Sequence, residues 1–247
     1  MQELKIKSSL DNTIQTSLFF KASEKNRPLL VGLHTWSFNR FNQVENILPY
    51  AQKYDFNLLL PEFRGTNLAS NPNCVKACGS KYAVQDIFDA IEYVKANYET
   101  DEKNIFLLGA SGGGHMSLMC GANNPTYFKA IAAFVPITDL LRWTKENEGY
   151  APHVQVCCGS ESEMRKRSPI SYIKELSQTN LKIFHGKFDK VVSYLQSYDL
   201  YTNIQELNSD ARVFLDIFDG GHEINMDVAF DWILSQYKKK ELRAVTG

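Results

Sequence analysis

The chain has 247 residues, with 27 Lys and Arg against 28 Asp and Glu for a net charge of −1, and it is 44% hydrophobic and 22% charged. This composition excludes an intrinsically disordered chain, and the near-zero charge removes any general electrostatic drive toward nucleic acid or an anionic membrane. The longest apolar run, residues 130–137, is far too short for a membrane span, and residues 1–7 alternate polar and apolar positions without the apolar core of a signal peptide.

Residues 4–6 and 13–20 read as opening strands joined by a turn at Asp11 and Asn12. The short apolar runs 29–33 and 57–60 suit central strands buried on both faces. Val84, Ile87, Phe88, Ile91 and Val94 recur at three- and four-residue spacing, which predicts an amphipathic helix ending near Tyr98. Residues 105–108 form the next strand, with a helix expected from about Gly113 to Ala122. Strands follow at 130–135, 182–184 and 213–218. Val228, Ala229, Trp232, Ile233 and Tyr237 mark a last amphipathic helix. No repeat or linker divides the chain, so it reads as one α/β domain, 1–247, with a mostly parallel sheet. The polar stretch 138–178 lacks a strand of its own and reads as a lid-like insertion.

Five cysteines, an odd count in a chain of this size, point to reduced thiols and a cytoplasmic setting. Cys74, Cys78, His153 and Cys157 are conceivable zinc ligands, but the Cys-x3-Cys spacing is loose and no second Cys-x-x-Cys follows. The reading is therefore no metal and no organic cofactor.

Chemistry is concentrated at Gly109-Ala110-Ser111-Gly112-Gly113, a G-x-S-x-G sequence between a predicted strand and a predicted helix. A nucleophile on such a turn projects its hydroxyl out of the sheet, and small neighbours let strand and helix pass close together. No lysine follows the glycines, so this is no phosphate-binding P-loop. Ser111 then needs a base, and the base an orienting acid. Of the five histidines, His222 alone lies in the loop between the last strand and the last helix; His34 and His185 end strands, His153 lies in the insertion, and His115, on the nucleophile's own helix, is expected to pack against the sheet. The acid should follow a strand between Ser111 and His222, which favours Asp189 over Asp139, itself well placed as a helix N-cap. The Gly112 N–H supplies one oxyanion donor. The loop after the early strand supplies the other, with Trp36 N–H the first choice and Thr35 N–H the second. Thr35, Phe38, Trp143 and Tyr150 are candidates for the substrate pocket, while Arg142, Arg165 and Arg167 read as a solvated charged face.

These pieces, in order from about residue 29 to residue 237, resemble the prolyl-oligopeptidase-like serine hydrolases of the α/β-hydrolase fold. The matching segments are Leu-Val-Gly-Leu-His34, Pro61-Glu62-Phe63-Arg64-Gly65, Val84-Gln85-Asp86-Ile87-Phe88-Asp89-Ala90, the Ser111 turn, His185-Gly186-Lys187-Phe188-Asp189 with Val192, Gln196 and Ser197 behind it, and Gly221-His222. The resemblance implies Ser111, Asp189 and His222 as nucleophile, acid and base. The family's usual His-Gly is here His34-Thr35. Only about thirty residues precede the first matching strand, which leaves no room for the propeller of the large family peptidases and favours an esterase-type member. The expected function is hydrolysis of a small-molecule carboxylic ester, with a short or aromatic acyl group and a carbohydrate-linked alcohol among the options. A small peptidase or aminoacyl hydrolase is the alternative, and a non-catalytic binding protein on the same fold is the third.

Overall fold

In the computed structural model, residues 1–238 are described; positions 239–247 of the single-domain expectation lie outside them. The chain runs β1 (Gln2–Lys7), β2 (Ile14–Phe20), β3 (Arg27–Leu33), α1 (Val44–Lys53), β4 (Asn57–Pro61), α2 (Lys81–Asn97), β5 (Thr100–Ala110), α3 (Gly112–Asn123) and β6 (Ala130–Phe134). Four short helices follow, α4 (Leu140–Glu146), α5 (Ala151–Cys158), α6 (Glu161–Lys166) and α7 (Ile173–Leu176). The chain then closes with β7 (Leu181–Gly186), α8 (Tyr194–Leu207), β8 (Val213–Phe218) and α9 (Met226–Lys238).

The eight strands make one sheet in the order β1-β2-β4-β3-β5-β6-β7-β8. β1, β2 and β4 pair antiparallel, and every other pairing is parallel. The central stretches of the inner parallel strands, residues 29–33, 58–60, 105–108 and 130–134, are apolar and buried because helices cover both faces. On one face α2, α3 and α8 bury Ile87, Met116 and Leu200 against Leu29, Leu107 and Ile183. On the other, α1 and α9 bury Ile47 and Phe230 against Leu30, Phe106 and Phe134.

Helix α1 has no counterpart in the sequence reading, and it carries Pro49, ordinarily a helix breaker, in its interior. Proline removes one intrahelical hydrogen bond there, and burial of Ile47 and Ala51 on the sheet outweighs the loss. Segment 138–178 folds as α4 to α7 with a 3-10 turn at Pro169–Tyr172. Its apolar side chains, Leu140, Trp143, Val154, Cys157 and Met164, form a third core with Trp36, Cys74 and Cys78. Among the described residues, no helix is long and apolar enough to cross a membrane.

Candidate active site

Ser111 joins β5 to α3 with φ 55° and ψ −119°, a left-handed conformation uncommon for a residue with a Cβ. Its N–H donates to the Phe134 carbonyl at 2.9 Å, and its carbonyl accepts the His115 N–H at 2.8 Å. The side chain caps no helical N–H, although Ser111 holds the N-cap position. Among the described residues the hydroxyl has no hydrogen-bond partner, and it stands at the positive end of the α3 dipole. The glycines around it follow from close packing. A Cβ on Gly109 would stand 2.2 Å from the Gly113 carbonyl oxygen, and one on Gly112 would stand 2.5 Å from the Trp36 nitrogen. The first turn of α3 is therefore pressed against the loop that follows β3.

That contact distinguishes the two loop amides. Thr35 N–H donates to Asn42 Oδ1 at 3.2 Å and is occupied. Trp36 N–H has no partner among the described residues and lies beside Gly112. Its carbonyl accepts Asn67 N–H at 2.8 Å, which fixes the plane of the next peptide. The loop below is tied down by side-chain contacts as well. His34 stacks on Phe63 with ring centroids 3.8 Å apart and donates to the Glu62 carbonyl. Arg64 is buried between Asp86 and Asp11.

Asp189 follows β7 and its side chain is fully buried. Its Oδ2 accepts His222 Nδ1–H at 2.7 Å, and its Oδ1 accepts the Val191 and Val192 amides at 2.8 and 3.0 Å. His185 lies 3.2 Å from Oδ2 through Nε2. That same nitrogen is 2.9 Å from the Val192 carbonyl, while Nδ1 is 2.7 Å from Ser197 Oγ. Two acceptors at Nε2 put the His185 proton there, and Nδ1 accepts the serine hydroxyl. Burial would raise the Asp189 carboxyl, but hydrogen bonds from His185, His222 and the Val192 amide hold it well below the ordinary carboxylate range. With Asp189 on Nδ1, neutral His222 carries its proton there and presents Nε2 as an acceptor.

Ser111 and His222 line one cavity of about 260 Å³, with Thr35, Trp36, Phe38, Tyr150 and Val135. No hydrogen bond joins the two among the described residues. Val135 itself has φ 41°, a genuine strain for a β-branched residue, at the end of β6 next to Ser111. A larger cavity of about 710 Å³ adjoins the first through Glu223 and Ile224 and is walled by Tyr50, Phe134, Phe218, Glu45 and Asp219.

Four of the five sequence-derived pocket and loop positions, Thr35, Trp36, Phe38 and Tyr150, line the Ser111 cavity, and Trp143 does not. Trp143 is 1% exposed, packs edge-on to Trp36, stacks on Tyr150 and donates Nε1–H to the Val191 carbonyl. Its place is behind the wall. Asp139 caps α4 by accepting the Arg142 N–H at 3.1 Å. His115 turns from the sheet toward Gly79 and donates Nε2–H to the Arg167 carbonyl at 2.7 Å, because its partners come from the residue that ends α6 and the segment before α2. His153 accepts the Ala69 N–H, and among the described residues no group of three or more His, Cys, Asp or Glu could hold a metal ion. Three supporting residues escaped the sequence reading: Asn42, Asn67 and Val135. A lone Asn in a loop carries no motif, and backbone strain leaves no trace in residue identity.

Comparison with known proteins bears on the fold and on kinship. The family model described as prolyl oligopeptidase family matches residues 42–241. The human acylamino-acid-releasing enzyme is 27% identical over 177 residues, 66% of this chain and 24% of that protein. The chain thus spans about a quarter of that curated relative's length. Among solved structures, an acylaminoacyl peptidase of Pyrococcus horikoshii has a TM-score of 0.73 at 21% identity, covering 90% of this chain and 37% of its own. An esterase of Pyrococcus furiosus has a TM-score of 0.73 at 16% identity, covering 97% and 90%. These likenesses show the α/β-hydrolase fold.

Proposed function

This chain belongs to the prolyl oligopeptidase family, and from that premise we propose that it is a serine hydrolase that cleaves small-molecule carboxylic esters through an acyl-enzyme. The observation that carries the reading is the 2.7 Å Asp189–His222 bond, with His222 and Ser111 on one cavity. Ser111 Oγ attacks the acyl carbon while His222 Nε2 takes its proton. The Gly112 and Trp36 N–H groups hold the tetrahedral oxyanion, each worth about 3 kcal/mol in such sites. The intermediate expels the alkoxide, which takes the proton from His222, and water repeats the sequence on the acyl-enzyme.

The cavity supports a small acyl group. At about 260 Å³ it lies below the usual range for drug-sized ligands, and Trp36, Tyr150, Val135 and Ile224 make much of its wall apolar. A short acyl chain or one aromatic ring fits that volume. The five free thiols support a reducing, cytoplasmic compartment. A second reading, hydrolysis of acylated aminoacyl amides, is favoured by the name of the human relative.

The experiment is fluorophosphonate labelling with peptide mapping, followed by turnover of p-nitrophenyl acetate, a hydroxycinnamoyl ester and an N-acetyl-aminoacyl anilide. An adduct on Ser111 that disappears in His222→Ala, with ester turnover above amide turnover, is expected. Amide turnover at the ester rate replaces the first reading by the second. No adduct on the folded protein defeats both and leaves a binding protein.

A further inference from the structure

Four of the five cysteines meet in one place although they come from two distant segments. Cys74 and Cys78 precede α2, and Cys157 and Cys158 end α5. All four are buried in the third core with Trp36. Cys78 Sγ and Cys158 Sγ are 3.9 Å apart. Cys157 Sγ donates to the Asn67 carbonyl at 3.6 Å. Nothing in the proposed hydrolysis uses a thiol.

The cluster is wired to the oxyanion loop through one residue. Cys78 has φ 48°, held by its N–H donating to Asn67 Oδ1 at 2.7 Å. Asn67 N–H in turn donates to the Trp36 carbonyl at 2.8 Å. A movement of Cys78 is therefore passed through the Asn67 side chain and backbone to the Trp36 carbonyl, and across the Trp36 Cα to its own N–H, which lies beside Gly112.

We propose that Cys78 and Cys158 are an oxidative modification site, closed to a disulfide by hydroperoxides, and that closure withdraws the Trp36 amide from the oxyanion position. The chemistry balances with one peroxide. Cys158 sulfur attacks a peroxide oxygen, breaking the O–O bond to give the sulfenic acid and, for hydrogen peroxide, one water. Cys78 sulfur then attacks the sulfenic sulfur, forming S–S and releasing a second water. Both cysteines are oxidised by one electron each and the peroxide takes both. Cys158 suits the first step. The hydrogen bond from Cys78 and the nearby Arg167 charge pull its thiol below the ordinary range, while burial pushes Cys78 up. Bond formation draws the sulfurs together by about 2 Å, and Cys78 has no slack, because its backbone is strained and bonded to Asn67.

The effect on activity rests on the serine-hydrolase reading; the disulfide does not. The reduced full-length protein is treated with hydrogen peroxide, its free thiols are blocked with N-ethylmaleimide, and peptides are mapped without reduction. Fluorophosphonate labelling and Trp fluorescence are followed in parallel. Expected are a Cys78–Cys158 cross-linked peptide, labelling at least fivefold slower, a shift in Trp emission, and recovery of all three with dithiothreitol. Cys158→Ser should label at the reduced wild-type rate and ignore peroxide; Cys78→Ala serves the same purpose if Cys158→Ser does not fold. A different pairing, over-oxidation without the cross-link, or a cross-link with an unchanged labelling rate overturns the proposal. If the reduced wild type does not label at all, the hydrolase reading fails instead. The cross-link and the Trp shift then still decide the thiol pair, with the absence of either overturning it.

Discussion

Adding one methyl group at Gly112 tests the oxyanion geometry without touching any catalytic side chain. A Cβ there would stand 2.5 Å from the Trp36 nitrogen, 2.6 Å from its Cα and 3.0 Å from its Cβ. Ordinary contact requires about 3.5 Å, so the Trp36 peptide must retreat by roughly 1 Å. A donor that belongs 2.7–3.1 Å from the oxyanion then falls out of hydrogen-bond range, and loss of one such donor costs about 3 kcal/mol, or 10²- to 10³-fold in kcat. Stability responds differently. Overpacking costs about 1–3 kcal/mol, and exchanging Gly for Ala in a helix returns up to about 1 kcal/mol. Gly112→Ala should therefore remain folded, with kcat on p-nitrophenyl acetate down at least 100-fold. Thermal unfolding by circular dichroism beside steady-state kinetics separates the two effects. A folded Gly112→Ala within threefold of the wild-type kcat would refute the assignment of Trp36 N–H.

Ser111→Ala should lose fluorophosphonate labelling and 10³- to 10⁶-fold in kcat, on the order seen when a triad nucleophile is removed; retained turnover would place the nucleophile elsewhere. Asp189→Asn should lose about 10⁴-fold, because an amide in place of the carboxylate favours the wrong His222 tautomer. Near-wild-type activity in Asp189→Asn with a crippled Asp139→Asn would move the acid role to Asp139. His115 is buried and neutral, with its pKa pushed down by burial to about 4 from 6.5. Below pH 6.5 the unfolded chain binds a proton that the folded chain refuses, so stability falls with falling pH at about 1.4 kcal/mol per unit until the folded value is reached. Urea unfolding at pH 7 and pH 5 should show the wild type losing about 2 kcal/mol more than His115→Gln, and equal losses would count against it. Asp86→Ala strands Arg64 and should cost about 3 kcal/mol in denaturant unfolding, near the low end for a broken buried pair because Asp11 remains as a partner; a loss under about 1 kcal/mol would deny the pair a structural role.

The parallel strands were legible through the short apolar run at the centre of each, which for β5 covers only residues 105–108 of Thr100–Ala110, and α2 because its buried residues keep helical spacing. α1 was not. Its proline argues locally against a helix, and only the sheet beneath Ile47 and Ala51 overrides it. The insertion was legible as strandless but not as a core, because its apolar residues are spaced for four short helices rather than one amphipathic face. Trp143 illustrates the consequence: a large aromatic in a polar stretch reads as a binding residue, whereas here it fills the space between Trp36, Tyr150 and Val191.

At the site, what the sequence conveyed was chemistry, and what it withheld was contact. Ser111, Asp189 and His222 stand in loops whose order carries meaning, so three residues far apart in the chain could be chosen together. Why the proposed mechanism takes His222 rather than His185 as the base becomes physical only in three dimensions. Both rings reach the same carboxylate, but His185 is wholly buried, with Nδ1 on Ser197 and Nε2 shared between Val192 and Asp189. Neither of its nitrogens is left to accept a proton from a substrate-bound nucleophile. His222 spends only Nδ1 on Asp189 and is partly exposed on the cavity that Ser111 shares. His185 is better understood as a second donor that, with two backbone amides, keeps Asp189 ionised beside His222. In the proposed mechanism Asp189, kept ionised by those donors, then favours a positive charge on His222 when the Ser111 proton arrives.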